Sequence, residues 1–198
     1  MARWLRRWTG GLQAAKLIVK RLKLALIIMV TLIGLLIAGA FFPLSDEEGG
    51  EIQESLERLG EENLELGIFS NNMLVALLGI IPFAGPPLAG YIVFNTGRFL
   101  GWTSAQMGIP VNLMIAMTIL IILLTGYGIL ELLGYGVAIA ESITISHIIL
   151  RRRWLLRGEL KMLLIAIALS ALLLALAAVI EAALIKSLGS IIGSTGII

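Results

Sequence analysis

The stretch IIPFAGPPLAG, residues 80–90, decides how this chain is read. It sits inside residues 71–97, a run without a charged side chain. Pro82, Gly85, Pro86, Pro87 and Gly90 fall within nine residues of one another. Proline removes a backbone donor and clashes with the carbonyl one turn back, so a helix here should break. In lipid the freed backbone groups would be costly, and irregular backbone is tolerated only inside protein or along a cavity. The stretch is therefore expected to face away from lipid. Two readings follow: a kinked helix packed on its neighbours, or a break that lines a path, as in the discontinuous helices of transporters.

The surroundings fix the broad class. Of 198 residues, 59% are hydrophobic and 14% charged. Mean hydropathy is +0.99. Soluble domains carry about 25% charged residues. Uncharged runs of about 20 residues recur, each long enough to cross a bilayer. The fold class expected is all-α, a polytopic transmembrane helical bundle in the cell membrane, with the lipid bilayer as its first partner. Absence of cysteine excludes disulfides and thiol chemistry. A single histidine, His147, argues against the usual zinc sites. Sparse Gln and Asn beside abundant Glu, Ile and Leu hint at a thermophile.

Charge is distributed in blocks. Residues 1–23 carry seven basic side chains and no acid, residues 46–65 nine acids and Arg58, and residues 151–161 five basic side chains and Glu159. Both basic blocks abut apolar runs, so the positive-inside rule explains them better than nucleic-acid binding. The first block is expected as a cytoplasmic or interfacial helix, with Trp4 and Trp8 at headgroup depth. Residues 24–42 form the first span, with Gly34 and Ala38 as a small-residue step. A basic region, an apolar run and Ala38-Gly39-Ala40 have the outline of a signal peptide. The long basic region and the continuation through Phe41 and Phe42 favour an uncleaved helix. Residues 43–68 form an acidic segment outside. Ser45 and Glu48 have capping-box spacing, while Gly49-Gly50 argue for a start near Glu51.

Residues 69–188 form the membrane domain, and 189–198 a tail. Its first span, the second of the chain, covers about 69–94 and is broken at residues 82–87. Residues 111–149 would make one helix of about 58 Å, too long for a single crossing. They are expected as two spans that turn at Thr125-Gly126-Tyr127-Gly128. The last span covers about 162–185. Five spans with a cytoplasmic N-terminus put Arg98 and 151–161 inside and the acidic segment outside. The rival is a re-entrant hairpin, or two short crossings, around the prolines.

On a helical wheel Glu131 and Glu141 share one face with Gly134, Ala138, Ser142 and Ile145, within about 80°. That face should point into the protein. Intramembrane acids usually mark a pathway, a relay or a buried partner. Glu181 reads as interfacial, near Lys186, and Ser170 as bonding its own helix. No nucleophile–base pair, phosphate loop or metal cluster emerges, so neither an enzyme nor a cofactor is expected.

Three short motifs then align. Ile68-Phe69-Ser70-Asn71-Asn72 opens the second span, Asn95-Thr96-Gly97-Arg98-Phe99-Leu100-Gly101 closes it, and Tyr127-Gly128-Ile129-Leu130-Glu131-Leu132 opens the fourth. In order and spacing they resemble the stage II sporulation protein M family of small polytopic membrane proteins, over about residues 66–185. The family pattern is F-x-N-N, an N-G-x-x-x-G-like element, and P-H-G-x-x-E-L. Here Thr96 splits the Asn-Gly pair, and Gly126 and Tyr127 replace the Pro-His, so no role needing that histidine transfers. The resemblance implies a non-enzymatic scaffold or partner-docking protein. Family members in spore formers help localise peptidoglycan hydrolases, a link that falls away in an archaeal chain. The five-span arrangement would gather Asn71, Asn72, Tyr127 and Glu131 at the outer ends of their helices. With Asn95 and Glu141 they form the candidate polar cluster or pathway, suited to hydrogen bonding or a hard cation. The alternative function is a cation or small-solute transporter with Glu131, Glu141 and the break on its route. A homodimer is expected from base rates.

Overall fold

A computed structural model describes residues 2–151 and 156–194, with side chains for 17–58, 63–151 and 159–187. The described residues form seven helices and no strand. They are α1 Ala2–Ala40, α2 Asp46–Glu62, α3 Leu64–Gly79, α4 Gly85–Gln106, α5 Val111–Thr125, α6 Tyr127–Arg151 and α7 Leu156–Ser194. Three segments are long and apolar enough to cross a membrane: Leu17–Ala40, Tyr127–Arg151 and Glu159–Ser187. The chain is thus an all-helical protein with apolar helices suited to a membrane. Residues 152–155 of the basic block and 195–198 of the expected tail lie outside the described residues, while α7 runs on through residues 189–194.

The helix breaker makes a reversal rather than a kink. α3 ends at Gly79, and Pro86 and Pro87 stand in the first turn of α4. There their missing N–H groups cost nothing, because first-turn donors have no partner within the helix. An added Cβ on Gly79 would stand 3.3 Å from that of Ala89. Asn72 and Val75 of α3 share a cavity wall with Val93 and Thr96 of α4. α3 and α4 are therefore antiparallel, and the expected single broken span over 69–94 is instead a helical hairpin. Phe83 adopts φ 64° in its turn. The tip makes backbone hydrogen bonds of its own, Gly85 N–H to Ile81 O at 2.7 Å among them, and α6 adds two. Ser142 Oγ–H donates to Ile81 O at 2.6 Å, and Phe83 N–H donates to Ser146 Oγ at 2.8 Å.

Both ends of the hairpin lie at the α2 end of the bundle. α2 starts at Asp46 with a complete capping box, Ser45 with Glu48, rather than near Glu51. Gly49 does not delay the helix because the space its side chain would fill is taken by the Trp102 ring, 2.3 Å from an added Cβ. The Trp102 indole N–H and the Gln106 amide both donate to Asp46 Oδ1, at 3.0 and 2.7 Å. Arg98 donates to Phe42 O at 3.0 Å and pairs with Glu48 at 3.7 Å. Arg98 thus sits beside the acidic segment, not on the opposite side where five crossings put it.

α5 leaves from that same end and stops at Gly126, which takes φ +74° as a left-handed cap. α6 begins at Tyr127, again near α2, and runs to Arg151. Residues 111–149 therefore contain one full-length helix and one of 15 residues that starts and finishes at the α2 end.

α1 and α4 run parallel and touch backbone to backbone. An added Cβ would stand 2.0 Å from Leu36 O at Gly97, 2.1 Å from Phe94 O at Gly39 and 2.2 Å from Ala40 O at Gly101. Gly34, expected in such a step, faces open space. The core joins Leu32 of α1, Val75 and Ala76 of α3, Ala89 and Val93 of α4, Leu132, Tyr135 and Ile139 of α6, and Leu174 of α7. Ser170 bonds across to α6, donating to Gly134 O at 2.9 Å, rather than to its own helix.

Candidate functional site

A cavity of about 430 Å³ opens within the α2 half of the bundle. Its polar wall is Asn71, Asn72, Thr96, Thr118, Tyr127, Glu131, Tyr135 and Glu181. Its apolar wall includes Leu36, Val75, Ile92, Val93, Ile122 and Ile185, and Leu56 of α2 reaches in from above. Among the described residues, no lining residue is basic. The volume falls in the ~300–1,000 Å³ range of small-molecule pockets.

Tyr135, one turn along α6, links Glu131 to Asn72 of α3. The Tyr135 hydroxyl lies 2.8 Å from Glu131 Oε1 and 2.9 Å from Asn72 Oδ1. A phenol has one proton for these two oxygens. Amide oxygen and nitrogen are interchangeable in shape. Turning Asn72 over gives each group a partner: its Nδ2–H donates to Tyr135, and Tyr135 donates to Glu131. The Asn72 carbonyl oxygen is then left at the cavity wall as an acceptor. Asn72 is only 7% exposed, so that acceptor is sheltered from solvent. Glu181 makes no hydrogen bond or ion pair among the described residues. Lys186, its expected neighbour, bonds Glu65 at 2.6 Å instead.

The sequence-predicted residues divide. Asn71, Asn72, Tyr127 and Glu131 meet at the cavity. Asn95 does not: its Nδ2–H donates to Tyr91 O at 3.1 Å, and its Oδ1 accepts from Arg98 at 3.1 Å. The break residues Pro82, Gly85, Pro86 and Pro87 do not line the cavity either. They stand at the hairpin tip, beside Ser142 and Ser146.

Glu141 is also elsewhere. Ten residues along α6 from Glu131, about 15 Å, it is 2% exposed and paired with Arg21 of α1. Arg21 also holds Glu159 of α7, so one guanidinium ties three helices together at the end remote from α2. The second carboxylate oxygen, Glu141 Oε1, is buried without a hydrogen-bond partner. The shared face of Glu131 and Glu141 does point inward, for Gly134, Ala138, Glu141, Ser142 and Ile145 are all buried.

Sequence reasoning missed Tyr135, Glu181, Arg21 and Ser146. Tyr135 was visible at i+4 from Glu131. Glu181 shares the α7 face of Leu174, Ala177 and Ala178, which are 0–1% exposed, and a wheel through α7 would have shown it. Arg21 was hidden because nothing local separates it from the other basic residues of its block. Compared with known proteins, the chain matches no family model, no curated protein and no solved structure.

Proposed function

We propose that this chain is a non-enzymatic, multi-pass protein of the cell membrane that takes a small cationic solute into the cavity at its α2 end, as a transporter or its membrane subunit. One observation carries this reading: Glu131 and Glu181 face a common cavity that no basic side chain lines among the described residues. In a low-dielectric setting two carboxylates are an expensive arrangement, relieved by a proton or by a positive ligand that joins them. Leu17–Ala40, Tyr127–Arg151 and Glu159–Ser187 then cross the bilayer, and the α3–α4 hairpin enters from the α2 side. Its tip stops at the depth of Ser146, five residues or about 8 Å short of the end of α6. The positive-inside rule puts residues 1–23 and 151–161 in the cytoplasm and α2 outside. The solute would reach the cavity from outside, past α2.

The test is flux into proteoliposomes of protons, sodium, magnesium and a small organic ammonium ion. Cation flux is expected from the native protein and at least a tenfold loss in Glu131→Gln with its melting transition retained. No flux of any cation from a folded protein would overturn the reading.

The second reading is the scaffold or docking protein of the stage II sporulation protein M type, assembled as a homodimer. The exposed acidic helix α2 favours it: Glu51, Glu54 and Glu57 are exposed, and Arg58 is the only basic residue in α2. The resemblance itself rests on the three short motifs. On this reading Glu131→Gln disturbs packing alone, and no solute crosses.

A further inference from the structure

We propose that the occupant of the α2-end cavity is an organic ammonium ion, a protonated amine carried on an apolar body, rather than a metal ion. This rests on the cation reading above and narrows it to one chemical class.

The walls decide between the two. A metal ion of the magnesium or calcium kind needs six or more oxygens at about 2.0–2.6 Å. Among the described residues no three His, Cys, Asp or Glu side chains come close enough together to hold one. A cavity of about 430 Å³ also leaves most of its wall untouched by a lone ion. That wall is largely apolar, formed by Val75, Ile92, Val93 and Ile185 among others. An apolar body covers such surface and gains from leaving water. The polar groups suit the other end of the same molecule. A primary ammonium offers N–H donors and no acceptor, as the lysine head does. Facing it are the unpaired Glu181, the free oxygen of Glu131 and the sheltered carbonyl of Asn72, all acceptors. The second phenol, Tyr127, is beside them.

The sheltered amide separates this site from a bare acidic cluster. Asn72 is more than nine-tenths buried, and one polar atom of its side chain has no partner at the cavity wall. With the amide turned to complete the Tyr135–Glu131 chain, that atom accepts; an anionic head brings no donor to these acceptors, and a neutral hydroxyl brings only one.

The experiment is calorimetric titration of the full chain in lipid nanodiscs, with protein-free nanodiscs subtracted. Four probes are compared at constant ionic strength: n-butylammonium chloride, n-butanol, sodium chloride and magnesium chloride. Saturable one-to-one binding of n-butylammonium alone is expected, weakened at least tenfold in Glu181→Gln. The comparison among probes uses the native protein, so it stands even if the variant fails to fold. Saturable sodium or magnesium binding, with n-butylammonium no better than n-butanol, would overturn the ammonium assignment and leave the cation reading in place. Saturation by none of the three cations would overturn both. Equal binding of n-butylammonium and n-butanol would show that the apolar wall binds without its carboxylates, and would also overturn the assignment.

Discussion

Ser142 and Ser146 explain how a membrane-type chain tolerates three prolines in an apolar run. Ser146 closes the Phe83 N–H of the turn at residues 80–84, and Ser142 adds a second hydrogen bond to Ile81 O, which already accepts from Gly85 N–H. Ser142→Ala removes one of the two hydrogen bonds that the Ile81 carbonyl accepts and leaves the one from Gly85 N–H at 2.7 Å. A loss of about 1 kcal/mol is expected in denaturant unfolding, since side-chain hydrogen bonds in membranes average only about 0.6 kcal/mol. Arg21 is a heavier contributor. Arg21→Ala leaves Glu141 buried and unpaired, and breaking a buried pair from one side costs about 3–5 kcal/mol. The double variant Arg21→Ala, Glu141→Ala should recover part of that loss in the same unfolding assay. Equal destabilisation in single and double variants would show that the guanidinium matters through packing alone. Such pairs are hard to read in a sequence. Arg21 and Glu141 are 120 residues apart, and the charge pattern around Arg21 has a sufficient explanation in membrane orientation.

Among the elements, α2 was legible in its start signal and obscured by its glycines. Ser45 and Glu48 have the right spacing, but Gly49 looked like a breaker until the Trp102 ring occupied its side-chain space. Backbone and hydroxyl donors of Ser45 hold the Glu48 carboxyl below its ordinary 4.5, with Arg98 adding a smaller pull in the same direction. A carboxyl depressed in the folded state stabilises above its unfolded value and loses that effect as pH falls through the folded one. Amide-exchange protection in the first turn of α2 should therefore be constant above pH 4.5 and decline below it, and Glu48→Gln should flatten the decline. The α1–α4 seam gives a sharper contrast. Gly97→Ala would push a Cβ to 2.0 Å from Leu36 O, so the helices must separate. Overpacking of this kind costs about 1–3 kcal/mol. Gly34→Ala meets nothing within 4 Å and should gain about 0.5–1 kcal/mol from helix propensity. The spacing of Gly97 and Gly101 announced close packing, and the choice of Gly39 over Gly34 as their partner depends on where α4 docks, which no local pattern contains.

At the scale of the molecule, all-helical and apolar character could be read from composition, and the meeting of Asn72 with Glu131, expected from five spans, comes about through the α3–α4 hairpin. The path of the chain could not be read that way. Length argued that residues 111–149 cross twice, because a 15-residue helix confined to one end of a bundle looks the same in sequence as a short span. The prolines fitted both a kink and the rival hairpin, and the serines that hold the turn lie some 60 residues later, where no local pattern links them to it. The hairpin puts the α4–α5 connection at the α2 end. Cysteine labelling tests this cleanly, since the chain has no cysteine of its own. Met107, 63% exposed just after α4, is the reporter, with Glu54 in α2 and Lys161 in α7 as references for the two ends. In sealed membranes of one orientation, an impermeant maleimide should modify Met107→Cys together with Glu54→Cys and apart from Lys161→Cys. Modification of Met107→Cys together with Lys161→Cys, and apart from Glu54→Cys, would contradict the hairpin and restore a single kinked span through residues 69–94.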